Sequence, residues 1–299
     1  MSEERKGIWY AIGAYILWGI LAIYWKSLQD IPAGEILAHR VFWSFLFVGV
    51  VLFISKRIFQ VKAVLSSRRN WITVTCSGFL ISANWFTYIW AVNNDHVIEA
   101  SLGYYINPLF SFALGVLVLK EGLRRWQAIS MLFAAVGVTI LTIEYGKFPW
   151  IALSLALTFA FYGLTKKMIE LDSLIALGLE TLMVFPVAFF YLFRLELNGT
   201  SSLSSISLPT FLLLASSGVI TAVPLLWFAQ AAKRIPYTMI SFIQYVSPTI
   251  TLLLGIFLYK ETFTWTHLIS FGFIWLALAL YTITSHGSFG QKNKMKDSA

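Results

Sequence analysis

A single cysteine, Cys76, stands in 299 residues, so an internal disulfide framework is excluded. No cysteines and histidines are spaced as a metal site, which sets aside structural zinc and thiol redox chemistry. Charge is scarce as well: Asp, Glu, Lys and Arg make up 12% of the chain, too few to cover the surface of a soluble domain. There is no G-x-x-x-x-G-K-[ST] loop to cradle a phosphate, and no soluble segment long enough to hold a nucleotide, so direct coupling to ATP is excluded. H-E-x-x-H and G-x-S-x-G are missing, as is a pair of intramembrane aspartates, so the expectation is a non-enzyme without cofactor or metal. What the chain does have is 58% hydrophobic residues and a mean hydropathy of +0.75. These are the proportions of an integral membrane protein whose first partner is the lipid bilayer.

Apolar runs of about 17 to 25 residues, the length that crosses a bilayer core, recur along the chain. They run from Ile8 to Trp25, Ala33 to Ile54, Trp71 to Val92, Ala100 to Leu119 and Trp126 to Ile143. A second set runs from Phe148 to Thr165, Leu174 to Phe193, Phe211 to Ala232, Tyr237 to Tyr259 and Phe263 to Ile283. The first is too long for the core of a signal peptide and lacks a small-residue cleavage site.

The two sets are related. SLGYYINPLFSFALGVLVLKE, from Ser101 to Glu121, returns 140 positions later as SFIQYVSPTITLLLGIFLYKE, from Ser241 to Glu261. Ser101, Tyr105, Pro108, Gly115, Lys120 and Glu121 meet Ser241, Tyr245, Pro248, Gly255, Lys260 and Glu261, and Ser77-Gly78 meets Ser217-Gly218. At 100° per residue the first four fall within an arc of roughly 80°, so the shared feature is one helix face.

Sidedness follows from the positive-inside rule, which also accounts for the net charge of +8 without nucleic acid as a partner. With the N-terminus inside, seventeen of the 22 Lys and Arg face the cytoplasm, while Lys26, Lys147, Arg194 and Lys260 face out and Arg40 lies within a span. Both termini are then cytoplasmic. Five spans per half, an odd number, insert the second half upside down. The fold expected is an all-α integral membrane protein of ten transmembrane helices in two inverted five-helix repeats. Residues 1–145 and 146–285 are the repeats, and 286–299 form a basic cytoplasmic tail. Inverted repeats exchange inward-open and outward-open shapes about a midplane site, which points to a secondary transporter or facilitator. A non-transporting sensor or assembly scaffold is the alternative from another class, and an uptake permease is the alternative within transport.

Polar groups inside spans mark candidate sites, because a charge at the membrane centre costs about 2.5–3.5 kcal/mol. Glu35, His39, Arg40, Glu99 and Glu180 are the candidates for gating or coupling, with protons as the candidate coupling ion. Arg40 reads either as a member of an interfacial ion pair or as a group that holds a substrate carboxylate; in the repeat register it falls on Glu180. Glu99 reads equally as a charge complementing a helix N-terminus. Pro108 and Pro248 each free a backbone carbonyl and are expected to kink their spans, with Pro224, in register with Asn84, a third irregularity. Tyr15, Trp18, Asn84, Trp85, Tyr88, Tyr104, Tyr105, Asn107, Tyr162, Thr221, Gln244 and Tyr245 combine rings with hydrogen-bonding tips deep in the spans. They form the candidate cavity for a small amphipathic or cationic molecule, against the alternative of plain helix packing.

Several runs extend these readings to a family: GEILAHRVFWS at Gly34 to Ser44, NWFTYIWAVN at Asn84 to Asn93, EASLGYYINPL at Glu99 to Leu109, PWIALSLALTFAFYGLTKK at Pro149 to Lys167, TAVPLL at Thr221 to Leu226 and QYVSPT at Gln244 to Thr249. Together they resemble the RarD-type branch of the EamA family, in the drug/metabolite transporter superfamily. The resemblance implies a cavity built from spans one, three, four, six, eight and nine, with five and ten peripheral. It also implies export of amino acids, metabolites or drugs across a bacterial inner membrane, by a monomer or homodimer.

Overall fold

The computed structural model describes residues 1–57, 59–61, 67–94, 96–260 and 264–296. Lys62 of the sidedness count, Glu261 at the end of the repeated stretch, Phe263 at the start of the tenth expected span and 297–299 of the tail fall outside them. Among the described residues the regular structure is helical, with no strand. The α-helices are α1 (Glu3–Lys26), α2 (Ala33–Ile54), α3 (Arg68–Asn93), α4 (Val97–Leu117), α5 (Arg125–Tyr145) and α6 (Trp150–Met168). They continue as α7 (Ser173–Leu197), α8 (Leu208–Ala232), α9 (Tyr237–Gln244), α10 (Val246–Phe257) and α11 (Trp265–Lys296).

By length and composition, eight segments are apolar enough to cross a membrane among the described residues: α1, α2, most of α4, α5, α7, α8, α9 with α10, and the first part of α11. The expected spans that do not qualify are those of α3, which carries Arg68, Asn70 and Asn84, and α6, which ends on Lys166 and Lys167. Both turn one face to the bundle, α3 on α6 and α7, and α6 on α4, and keep an exposed apolar face that includes Phe79 and Phe86 of α3 and Phe161 of α6. A helix faced by other helices can carry more polar groups than one faced by lipid.

Local chemistry sets the ends. Pro32, Pro149 and Pro236 stand just before α2, α6 and α9, where the backbone N–H that proline lacks has no helical partner. Asp172 caps α7 by accepting from the N–H of Leu174 at 3.0 Å and of Ile175 at 3.4 Å. Span nine divides at Tyr245, where the Tyr245 N–H reaches back to the Phe242 carbonyl. That break lies one turn before Pro248, whose ring clashes with the carbonyl of Gln244. By contrast, α4 and α8 run through Pro108 and Pro224 without interruption.

The helix boundaries recur at the spacing of the sequence repeat. Ala33 and Ser173, Val97 and Tyr237, Leu117 and Phe257, and Arg125 and Trp265 are corresponding ends, each 140 residues apart. Lys120 and Lys260, also 140 apart, both adopt positive φ, at 53° and 58°. Packing is crossed in the same sense: α4 lies on α6 and its counterpart α10 on α1, while α2 lies on α8 and α7 on α3. The main core gathers Tyr15, Tyr162, Leu179, Leu225, Phe228 and Ile240 between these helices. α5 and α11 pack on each other, where Gly137 allows so close an approach that a Cβ there would meet the Ser270 carbonyl oxygen at 2.5 Å.

Candidate functional site

Buried carboxylates of the interior have defined partners. Glu35, 1% exposed, accepts from the Ser202 backbone N–H at 2.9 Å and the Ser202 hydroxyl at 2.7 Å, and so holds the turn between α7 and α8. His39 lies 4.0 Å from it. Glu99 accepts from the Ile151 N–H and the Tyr145 hydroxyl, both at 2.8 Å, which is the helix-terminus role, here at the start of α6. Glu121 does the same for α9, accepting from Tyr237 N–H at 2.6 Å and from Thr238 N–H and hydroxyl at 2.8 Å. We therefore expect Glu99→Gln, which keeps an oxygen for Ile151 but loses the charge, to cost about 1 kcal/mol of stability. Transport in that variant should keep its response to a pH gradient, and loss of that response with unchanged stability would return Glu99 to the coupling step.

Glu180 is different. Its Oε1 lies 2.5 Å from Lys166 Nζ, with both side chains 2% exposed, and accepts from the Ser77 hydroxyl at 2.7 Å. Thr165 donates to Ser77 at 3.1 Å, and the Tyr162 ring lies 5.1 Å from Lys166 Nζ. Lys166, one of the seventeen cations counted as cytoplasmic, is turned into the bundle from the last turn of α6. The signal available was its place on a helix carrying Tyr162, but hydropathy alone gives a helix-end lysine no direction.

At the other end of the bundle stands Arg40, 9% exposed. Its Nε donates to Thr221 at 3.2 Å, its only hydrogen bond among the described residues, and its Cζ lies over the Trp25 and Trp85 rings at 4.3 and 4.7 Å. No carboxylate pairs with it among the described residues: Glu35 is held by Ser202 and lies within 4.0 Å of His39, so the ion-pair contact of this helix end joins Glu35 and His39 and leaves Arg40 out. Tyr88 and Tyr104 stack edge to face at 5.8 Å beside it. Tyr104, at the edge of this cluster, is 45% exposed.

The structure brings Trp85, Tyr88, Tyr104 and Thr221 together around Arg40. Tyr15, Trp18 and Tyr162 form a separate central group with Phe228 and Phe159; the Tyr15 and Trp18 rings lie 5.1 Å apart. Gln244 donates to Ser111 at 3.3 Å. Asn84 and Asn107 use their amides on α6, donating to the carbonyls of Leu155 at 2.8 Å and Ala156 at 2.7 Å, which fixes helix packing. Tyr105 and Tyr245, the repeated pair, meet at one apolar cluster but at different depths: Tyr245 is fully buried within it, whereas Tyr105 is partly buried, packs against it and donates to the Pro248 carbonyl at 3.3 Å.

This arrangement can be set beside known proteins. The model of the EamA-like transporter family matches residues 5–143 and again residues 148–283. The chain belongs to that family. It is 45% identical to the uncharacterised transporter YojE of Bacillus subtilis (strain 168), covering 95% of both chains. With Protein RarD of Escherichia coli (strain K12) it shares 40% identity, over 94% of this chain and 95% of that one. For Protein RarD of Salmonella typhimurium the identity is 41%, over 94% and 96%. A crystal structure of another protein, 16% identical, superposes with a TM-score of 0.74 over 95% of this chain and all of its own, and shares the fold. This EamA-family member is thus a multi-pass membrane transporter of the RarD type, handling a small molecule within lipid. Its buried charges are Arg40 within an aromatic surround and the Lys166–Glu180 pair.

Proposed function

We propose that the chain is a secondary transporter that exports small amphipathic metabolites, amino-acid-like compounds or drugs across a bacterial cytoplasmic membrane by alternating access. Residues 1–145 and 146–285 act as two inverted five-helix repeats with ten spans, and 286–299 as a basic cytoplasmic tail. The recurrence of helix ends at 140 residues and the crossed packing of α4 on α6 with α10 on α1 support this reading.

The observation that carries it is a difference in access at the two ends. Around Arg40, Tyr104 is 45% exposed; around Glu180, at the repeat-equivalent position, Glu180 and Lys166 are 2% exposed and joined. A carrier caught open on one side and closed on the other has this form. Lys166–Glu180 is then the gate that must part for the cytoplasmic side to open. Reconstitution into proteoliposomes, with and without a pH gradient, tests the function with amino acids and aromatic drugs as probes. Accumulation above empty liposomes for at least one class is expected, and none above that level would defeat the proposal.

Topology has its own test. With Cys76 replaced by serine, a cysteine at exposed Asn198 should react with a membrane-impermeant thiol reagent in intact cells. One at exposed Gly122, at the opposite end of the bundle, should not. The reverse pattern would invert the orientation and the gate assignment with it.

A further inference from the structure

We propose that Arg40 is the carboxylate subsite of this transporter, selecting substrates that join a carboxylate to an aromatic or aliphatic body. The inference rests on the reading of the chain as a small-molecule carrier and adds the chemistry of its cargo. A guanidinium that is 9% exposed and has no counter-ion among the described residues is costly in the interior. Two indole faces, at 4.3 and 4.7 Å, offset part of that cost through cation–π attraction. They cannot satisfy its N–H groups. Thr221 occupies Nε, which leaves the two Nη groups as a planar fork, and the group that matches a planar fork with two oxygens is a carboxylate.

The other half of the molecule shows what is missing here. At the position equivalent to Arg40 the charge is Glu180, and its opposite charge is supplied from within, by Lys166. At the position equivalent to Lys166 stands Lys26, whose ammonium lies 3.7 Å from the centre of the Tyr259 ring and is a second cation, not an anion. Arg40 is therefore a buried charge for which the described residues supply no opposite charge, and it sits beside Tyr104, which is 45% exposed. Trp25, Trp85, Tyr88 and Tyr104 provide ring faces for the body of the ligand, with two tyrosine hydroxyls beside the charge.

The test is equilibrium binding to the purified, detergent-solubilised full chain. The probes are 3-phenylpropionate, indole-3-acetate and octanoate, each beside its primary amide. Wild type should bind at least one carboxylate about tenfold more tightly than the matching amide. Arg40→Gln should bring that ratio close to one, and Arg40→Lys, which keeps the charge but not the fork, should give an intermediate value. The ratio is internal to each variant, so loss of folded material does not imitate the effect. A wild-type ratio near one across the panel overturns the proposal, as does a ratio kept in Arg40→Gln. If the preference is present and depends on Arg40 but no carboxylate crosses proteoliposomes, the subsite stands and the transport reading fails. If proteoliposomes accumulate other solutes, indifferent to the carboxylates and to Arg40→Gln, transport stands and the subsite is overturned.

Discussion

Lys166→Met is expected to destabilise the folded protein by about 3–5 kcal/mol, because it leaves the Glu180 carboxylate buried without its cation. The two groups are 2.5 Å apart at 2% exposure, and the Ser77 hydroxyl that remains is a single neutral donor. Removing both charges is a different experiment. In Lys166→Met with Glu180→Leu no charge is left behind, and packing of similar volume should recover most of the loss. Unfolding of the detergent-solubilised protein, compared across wild type, both single variants and the double variant, measures the coupling. Equal destabilisation of the single and the double variants would show that the loss comes from packing around α6 and that the charges are not coupled. The double variant also separates stability from mechanism: restored folding without restored transport is the expected outcome if the pair is the gate.

Gly218→Ala is expected to be the most damaging single methyl group in the bundle's α2–α8 contact. A Cβ at Gly218 would stand 2.3 Å from the Trp43 carbonyl carbon, 2.4 Å from its oxygen and 2.7 Å from Ser44 N. These are backbone atoms, and no flexible side-chain end can yield to them, so α2 and α8 must move apart. Overpacking of this kind costs about 1–3 kcal/mol, and separation also strains the 3.2 Å bond from Ser44 to the Gly218 carbonyl. One turn further on, Thr221 holds Arg40 at 3.2 Å, so the same displacement should loosen the Arg40 cluster. The repeat-equivalent glycine is the control. At Gly78 the nearest atom to a Cβ is the Glu180 carbonyl oxygen at 3.2 Å, and Gly78→Ala should cost less than about 1 kcal/mol. Equal melting temperatures for the two alanine variants would refute the argument from close approach.

Some of the candidate site was readable before any fold was known. Arg40 and Glu180 stood out because charge within an apolar run is rare, and their correspondence at 140 residues came from the repeat alone. The rings of Trp85, Tyr88 and Tyr104 read as a lining, and two helices, α3 and α4, bring them beside the arginine. Less legible were the roles of Asn84 and Asn107, whose amides looked like ligand contacts but donate to the carbonyls of α6. An amide reads the same in sequence whether it faces a cavity or a neighbouring backbone. Tyr105 and Tyr245 meet at one apolar cluster, but equal register did not give them equal depth: Tyr245 is fully buried and Tyr105 only partly.

The sequence by itself determined that this chain lives in a membrane, where its apolar spans lie along the chain, and that a stretch of its second half repeats one of the first. Each of these is written in neighbouring residues: length of apolar run, proline and acidic caps, and a register of 140. Only the tertiary structure decided which group answers each buried charge. Glu35 meets Ser202 across 167 residues, Arg40 meets Thr221 across 181, and Lys166, a helix-end lysine by sequence, turns inward to Glu180. Hydropathy gives a helix its depth and length but not its rotation about its own axis. That rotation is fixed only when helices pack, so the partners of the charges, and with them the chemistry of the site, come into being with the fold.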